Sequence, residues 1–445
     1  MTEENTKIRE APIKKVFFSY LIPAVLGMVF MSINIVVDGI FIGHSVGPNG
    51  LAAVNIAVPI FSIFISISLW IGVGGAALYS ISLGKGQKEK ALQYFSQSVL
   101  IVLAVTFLIT VLSIWKVESL AIFLGANDVI MPYVLDYMGV LVTFGFVFVI
   151  QNILSIFVRN DGNPQLAMAS TITNALFNIV LNYIFLFPLG LGVKGAAYAT
   201  IISATIGMIV ILFHFIMKKG MLRFQLPTFS KRDFKEILSI GFPSFISEMA
   251  IAFVTVVFNI AFMKTIGEIG VAAFSIVNYL HSLMLLTFIG VSSAIQPIIS
   301  YHYGAKLFAR MKESLRLGEK TALILGIFFL TVGLLLPKPL TMIFGVESGK
   351  LFEITIQGIR LFFISYLFMG FNMVIATFYQ SIGQTKLSLF ITLSRGMVLV
   401  AIFTIILTPL FGTVGIWLAM PAAEALTSIV ILFTVRSSIE EYQLD

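Results

Sequence analysis

Cysteine is absent from the 445 residues, which excludes disulfides, thiolate nucleophiles and cysteine-based metal sites. Charge is scarce: Asp, Glu, Lys and Arg make up 11% of the chain, against roughly 25% in soluble domains. The four histidines, His44, His214, His281 and His302, are scattered without the spacing of a metal site. No GxxxxGK[ST] loop occurs, so ATP hydrolysis by that route is excluded. "GVGGAALYS" (72–80) is glycine-rich, but it lies inside an apolar run and follows no strand, which argues against a dinucleotide or phosphate loop. No enzymatic activity, cofactor or bound metal is expected. Nor is a cleavable leader: the first apolar run, 17–37, is too long for one and no small-residue cleavage site follows it.

What is abundant is apolar surface. Hydrophobic residues make up 58% of the chain and its mean hydropathy is +1.02. A soluble fold of this composition could not cover itself with polar groups, so its solvent is the lipid bilayer. A helix needs about 20 apolar residues to cross the hydrocarbon. Twelve such runs are present, the first at 16–42, the ninth at 320–337 and the last at 413–435. They are continuous rather than alternating, which excludes a closed barrel. The predicted fold class is an all-α polytopic membrane protein. The net charge of +7 suggests nucleic acid by sign alone, but its distribution describes topology. The N-terminus, the loops after even-numbered runs and the C-terminus hold 21 of the 28 Lys and Arg residues, and the other loops hold five. Basic residues collect on the cytoplasmic side. Both termini are therefore expected in the cytoplasm, in a multi-pass protein of the plasma (inner) membrane with no nucleic-acid partner. The alternative is a basic patch for some other partner.

The two halves of the chain repeat. Pro23 falls on Pro243, Gly47 and Gly50 on Gly267 and Gly270, Gly84 on Gly304, Gly162 on Gly383, and Gly192 and Gly195 on Gly412 and Gly415. The offset stays at 220–221 residues throughout. Each half carries six runs, an even number, so both halves enter from the same side. This is a parallel repeat about an axis along the membrane normal. The expected organisation is an N-lobe over 1–217, a basic linker over 218–236 and a C-lobe over 237–445, two six-helix bundles enclosing a central cavity. Rocking of the bundles would open that cavity to each side in turn.

Ionisable residues inside a membrane span are functional candidates. Five qualify: Asp38, Glu248, Arg360, Arg395 and Glu424. Asp38 interrupts "SINIVVDGIFIGH" some four residues inside the outer end of the first run, and its repeat partner is Phe258. It reads as a protonatable switch, since gaining or losing a proton changes which hydrogen bonds its helix can make. The alternative is an interfacial carboxylate near the head groups. In the fifth run "NALFNIVLN" sets Asn174, Asn178 and Asn182 at i, i+4 and i+8, along one helix face. Buried amides need partners, and a carboxylate beside them would supply one; helix-to-helix hydrogen bonding alone is the alternative. Thr200 and Asn152 are candidates for the same cluster. Pro23, mid-span, removes a backbone hydrogen bond and favours a bend. Glu248, after Pro243, is a candidate second cation or substrate contact, or a partner of Arg360 or Arg395. Glu424 is expected to pair with a basic neighbour. Some of the 18 Met and 42 Phe residues should line the cavity, where they suit flat apolar cations.

"RNDGNPQLAM" after the fourth run, "GLGVKGAAYAT" before the sixth and "VVDGIFIGHSVGPNGLAAVNIAVPI" across the first two resemble the MATE (multidrug and toxic compound extrusion) transporters. The likeness covers the whole chain and is closest to the DinF-like and MepA-like bacterial branches. It implies a secondary-active antiporter that exports cationic amphipathic compounds in exchange for H⁺ or Na⁺ by alternating access, here expected as a monomer. In DinF-like members an N-lobe Asp is the protonation site and the first helix bends at a Pro; Asp38 and Pro23 match these. The accompanying polar cluster maps onto Asn178, Asn182, Thr200 and Asn152. Some such members carry a second Asp where this chain has Asn182, so Asp38 is expected to act alone. Another branch holds Na⁺ with a Glu in the seventh span and an Asp in the tenth. Glu248 matches the first, but the second is missing and the tenth run offers Asn372. H⁺ coupling is therefore the favoured expectation, with Na⁺ coupling through Glu248 as the alternative. A flippase for lipid-linked oligosaccharides would need more cationic side chains in its spans. A non-transporting scaffold would need neither repeat nor polar cluster.

Overall fold

Long uncharged runs leave the backbone no partner in lipid except itself, and helix is the result. A computed structural model of the chain describes residues 8–217, 220–226 and 230–435. Parts of the expected linker (218, 219 and 227–229), the first seven residues and those after 435 lie outside these. No strand occurs among the described residues, and twelve helices are long and apolar enough to span a membrane. We number these α1 (Ile13–Ser45), α2 (Pro48–Gly84), α3 (Lys88–Trp115), α4 (Met131–Asn160), α5 (Pro164–Leu186), α6 (Gly192–Ile216), α7 (Lys231–Ile266), α8 (Glu268–Gly304), α9 (Phe308–Leu335), α10 (Gly349–Ser381), α11 (Thr385–Phe411) and α12 (Thr413–Phe433).

The repeat is visible in the helices. α2 and α8 are each 37 residues long, and α3 and α9 each 28. Each of the latter pair is followed by a short helix, Val117–Phe123 or Pro337–Met342. The turns before α2 and α8 use Gly47 and Gly267 at φ of 82° and 71°, a left-handed conformation that side chains disfavour. The ninth span begins at Phe308 rather than 320. Residues 308–319 carry five charged side chains, Arg310, Lys312, Glu313, Arg316 and Glu319, and a hydropathy limit marks where lipid ends rather than where the helix does.

The chain divides into two compact units, Met1–Phe245 and Ile246–Asp445. In the first, α5 packs on α6 and α1, and α4 on α2 and α6. In the second, α10 packs on α8, α9 and α12, and α11 on α12. The described part of the connector belongs to the first unit for a chemical reason. Asp161, buried in the turn after α4, accepts hydrogen bonds from Tyr79 Oη (2.6 Å), His214 Nε2 (2.8 Å) and the backbone nitrogens of Met221 (2.8 Å) and Leu222 (3.0 Å). Farther along, Lys90 pairs with Asp233 at 2.6 Å, Tyr94 Oη donates to Glu236 at 2.9 Å and Trp70 Nε1 donates to Leu238 O at 2.7 Å. Gly241 abuts the backbone carbonyl of Trp70, where any Cβ would collide.

α1 is helical through Pro23. Proline cannot donate to the carbonyl four residues earlier. Here that carbonyl, Ser19 O, accepts from the Gln165 side chain at 3.5 Å, so a side chain from the first turn of α5 takes the place of the missing backbone donor.

Candidate functional site

Asn34 and Asp38 sit one helical turn apart on α1, and Asn178 and Asn182 one turn apart on α5. Packing α1 on α5 brings the four together. Asn182 Nδ2 donates to Asp38 Oδ1 at 2.6 Å and is also 3.0 Å from Asn178 Oδ1. Asn34 Nδ2 donates to Asn178 Oδ1 at 2.7 Å. From α6, Thr200 Oγ1 lies 3.4 Å from Asn178 Nδ2. From α4, Tyr137 lies beside Thr200 and within electrostatic reach of Asp38. Asn178 and Asn182 are buried, and Asp38 is half-buried. One turn beyond the cluster, Ile42, Leu186, Val193 and Ala196 form a buried apolar cluster.

One contact defines the chemistry. Asn178 Oδ1 lies 2.7 Å from Asp38 Oδ1. Two oxygens that close require a proton between them, or an amide turned so that its nitrogen faces the carboxylate. With Asp38 protonated, its hydroxyl donates to Asn178 Oδ1, and Asn34 and Asn182 donate to the same oxygen. With Asp38 ionised, Asn178 turns, donates to Asp38 at 2.7 Å and presents its nitrogen to Asn34 Nδ2. Asn34 then loses Asn178 Oδ1 as an acceptor and keeps its 3.5 Å contact with Ala175 O. The orientation of the Asn178 amide and the state of the Asp38 carboxyl are thus linked, and α1 stays hydrogen-bonded to α5 in either arrangement. Asn182 Oδ1 is buried without a hydrogen-bond partner, an available acceptor for an incoming donor or cation. No group of three or more His, Cys, Asp or Glu side chains that could hold a metal occurs among the described residues.

Asp38, Asn178, Asn182 and Thr200 are brought together; Asn152 is placed elsewhere. Its Nδ2 donates to Ser68 Oγ on α2 at 3.1 Å. The Asn stripe also splits, because Asn174 donates to Gln151 Oε1 on α4 at 3.0 Å. A row of i+4 positions drifts around a helix of 3.6 residues per turn, so two steps carry Asn174 off the face that meets α1. Asn34 and Tyr137 are additional members. Asn34 lies at i−4 to Asp38, a spacing readable in the sequence. Tyr137 has no comparable mark.

In the second unit the expected pair of Glu248 and Asn372 is not assembled. Asn372 Nδ2 donates to Glu424 Oε2 at 2.7 Å, and Asn372 Oδ1 accepts from Ser428 at 2.8 Å. Glu424, fully buried, takes both arms of Arg395, at 2.6 and 3.2 Å. Arg395 lies in a π-helical turn, Ser394–Val398. Glu248 is half-buried and has no ion pair within 4.0 Å among the described residues. Pro23 is buried in α1.

The MatE family model matches the chain twice, over residues 23–184 and 243–406, with starts 220 residues apart. The chain is similar to the multidrug export protein MepA of Staphylococcus haemolyticus, at 25% identity over 98% of this chain and 96% of that one. It is likewise similar to MepA of Staphylococcus aureus strain NCTC 8325, at 22% identity over 97% and 96%. Among solved structures, one of an outward-facing multidrug resistance MATE family transporter of the MOP superfamily superposes with a TM-score of 0.94, at 24% identity over the full length of both chains.

Proposed function

The chain belongs to the MatE family of multi-pass membrane transporters, and on that premise we propose that it is a multidrug exporter driven by H⁺ antiport, with Asp38 as the protonation switch. Its cargo is cationic and amphipathic, it works as a monomer in the plasma membrane, and both termini face the cytoplasm. The observation that carries this reading is the close contact of Asp38 with Asn178, whose amide has one arrangement for each state of the carboxyl. A proton arriving from outside fixes the arrangement in which Asn34 ties α1 to α5. Loss of the proton to the cytoplasm breaks the Asn34–Asn178 hydrogen bond and leaves Asn34 its 3.5 Å contact with Ala175 O. Cargo that engages the same groups better in the ionised state is displaced by the proton, since a ligand shifts an equilibrium only through differential affinity. The names of the similar proteins, multidrug export protein MepA, support an export role.

The test is efflux of a fluorescent organic cation from proteoliposomes under imposed ΔpH. Asp38→Asn is expected to reduce it to the level of protein-free vesicles. Unimpaired ΔpH-driven efflux by this variant would sink the switch. A Na⁺ gradient imposed alone, at equal pH, tests the second reading: Glu248, half-buried without an ion pair, is the residue on which Na⁺ coupling would depend. Efflux driven by Na⁺ and abolished by Glu248→Gln would replace the proton mechanism.

A further inference from the structure

A cavity of about 610 Å³ opens in the second unit; of the in-span ionisable candidates, its lining includes only Arg360. Its lining includes Lys338 and Arg360, the carboxylate Glu353, and the apolar side chains of Phe352, Leu361 and Val414. Lys338 is the second residue of the short helix that follows α9, and Val414 is the second residue of α12. The cavity therefore sits where spans end, on the face opposite both termini, since the connections after α9 and α11 each follow an odd number of crossings. α10 explains how Arg360, eleven residues into the helix, reaches this level. Its 33 residues measure about 50 Å at 1.5 Å each, against a hydrocarbon core of about 30 Å, so its first turns stand clear of the hydrocarbon.

The walls are fixed. Gly358 lets the indole of Trp417 pack directly on α10, where a Cβ would collide with the ring. Trp417 is fully buried, and its ring centroid lies 4.4 Å from that of Phe262 on α7, with the planes tilted by 50°. The contact with Gly358 holds α12, and Val414 at its start, against α10. Beside the cavity the helix ends are apolar and exposed, at Leu335 closing α9 and Phe411 closing α11, as expected of surface that meets lipid. Lys338 and Arg360 are exposed, and neither has a carboxylate within 4.0 Å among the described residues. Two cations without ion pairs, held over apolar walls at the membrane surface, match one ligand chemistry: a phosphate carried on acyl chains.

We infer that this cavity binds the head group of an anionic phospholipid, with Lys338 and Arg360 on the phosphate and the acyl chains along Phe352 and Leu361. A free phosphate would use only the two cations and leave the apolar wall unmatched. The inference is independent of what the protein transports.

Native mass spectrometry of the purified full-length chain in detergent, titrated with phosphatidylglycerol or phosphatidylcholine, tests it. The wild type is expected to retain phosphatidylglycerol in preference. Lys338→Gln with Arg360→Gln is expected to weaken that retention by roughly fivefold for each basic side chain removed, about 30-fold for both. Lys338→Arg with Arg360→Lys, which keeps both charges, should retain it and controls for folding. Equal retention of the two lipids, or equal loss in a Lys312→Gln control on α9, would show general charge attraction and overturn the site. Displacement of the lipid by inorganic phosphate at equal concentration would overturn the assignment to a lipid.

Discussion

The two units share a scaffold and bury opposite interiors at equivalent places. In the first, α1 and α5 meet through Asn34, Asp38, Asn178 and Asn182. At an offset of 220, Asn34 and Asp38 become Val254 and Phe258, and the two α5 asparagines fall in 398–403, a stretch without a polar side chain. Phe258 stacks 5.2 Å from Phe274 and meets Phe362 edge-on. Nearer the termini-facing side the relation reverses. Gln151 and Asn174 form a neutral amide pair in the first unit, and at an offset of 221 they become Asn372 and Arg395, members of an ionic network completed by Glu424. The repeat dictates the helices and their glycine turns. It does not dictate where polarity is buried, and that freedom gives one unit a carboxyl set among neutral amides and the other a carboxylate paired with arginine.

The contrast breaks most readily at Glu424. Glu424→Gln leaves Arg395 buried without its counter-charge, and the expected cost is about 3–5 kcal/mol, read as a lowered unfolding temperature in detergent. Arg395→Met with Glu424→Leu removes both charges and should be far less harmful. A double variant as unstable as the single one would mean that the network does more than neutralise a charge. A smaller effect separates the equivalent positions on α1 and α7. Asn34→Ala should cost about 1 kcal/mol and shift the pH dependence of efflux, because it removes the group whose acceptor depends on the Asp38 proton. Val254→Ala should cost about 2 kcal/mol and leave that pH dependence unchanged. If both variants shift the pH profile, the coupling is not confined to one unit. The smallest effect is expected at Gln165. Its contact with Ser19 O is exposed and 3.5 Å long, so Gln165→Ala should change stability by less than about 1 kcal/mol. Its mark should instead be faster amide exchange just after Pro23, measured by hydrogen–deuterium exchange; unchanged exchange there would deny Gln165 a role at the proline.

Much of this was legible without coordinates. Hydropathy alone places twelve helices, because lipid imposes a minimum length on each, and the spaced glycines and prolines show the repeat because turns constrain backbone more tightly than packing constrains side chains. Asp38, Asn178, Asn182 and Thr200 are conspicuous as polar residues in apolar runs. What sequence cannot supply is the partner across a helix interface. Asn152 is as polar as Asn178, yet it faces Ser68, because helical periodicity gives a face but not the neighbour that the face meets. Arg395 and Glu424 lie on neighbouring helices for the same reason, 29 residues apart. The polar first turns of α9 continue a helix that hydropathy ends too soon.

The Asp38 cluster holds a single carboxylate; its other α1 and α5 members are amides, which carry no charge to exchange. If the proposed H⁺ antiport runs through this cluster alone, one proton moves per cycle. Set against a monovalent organic cation, that exchange transfers no net charge. The membrane potential, worth about 2.3 kcal/mol per elementary charge per 100 mV, then contributes nothing, and the attainable cargo gradient equals the proton gradient, tenfold for each pH unit. Cells that hold a small ΔpH and a large potential would gain little export from this design, whereas acid surroundings would raise it directly.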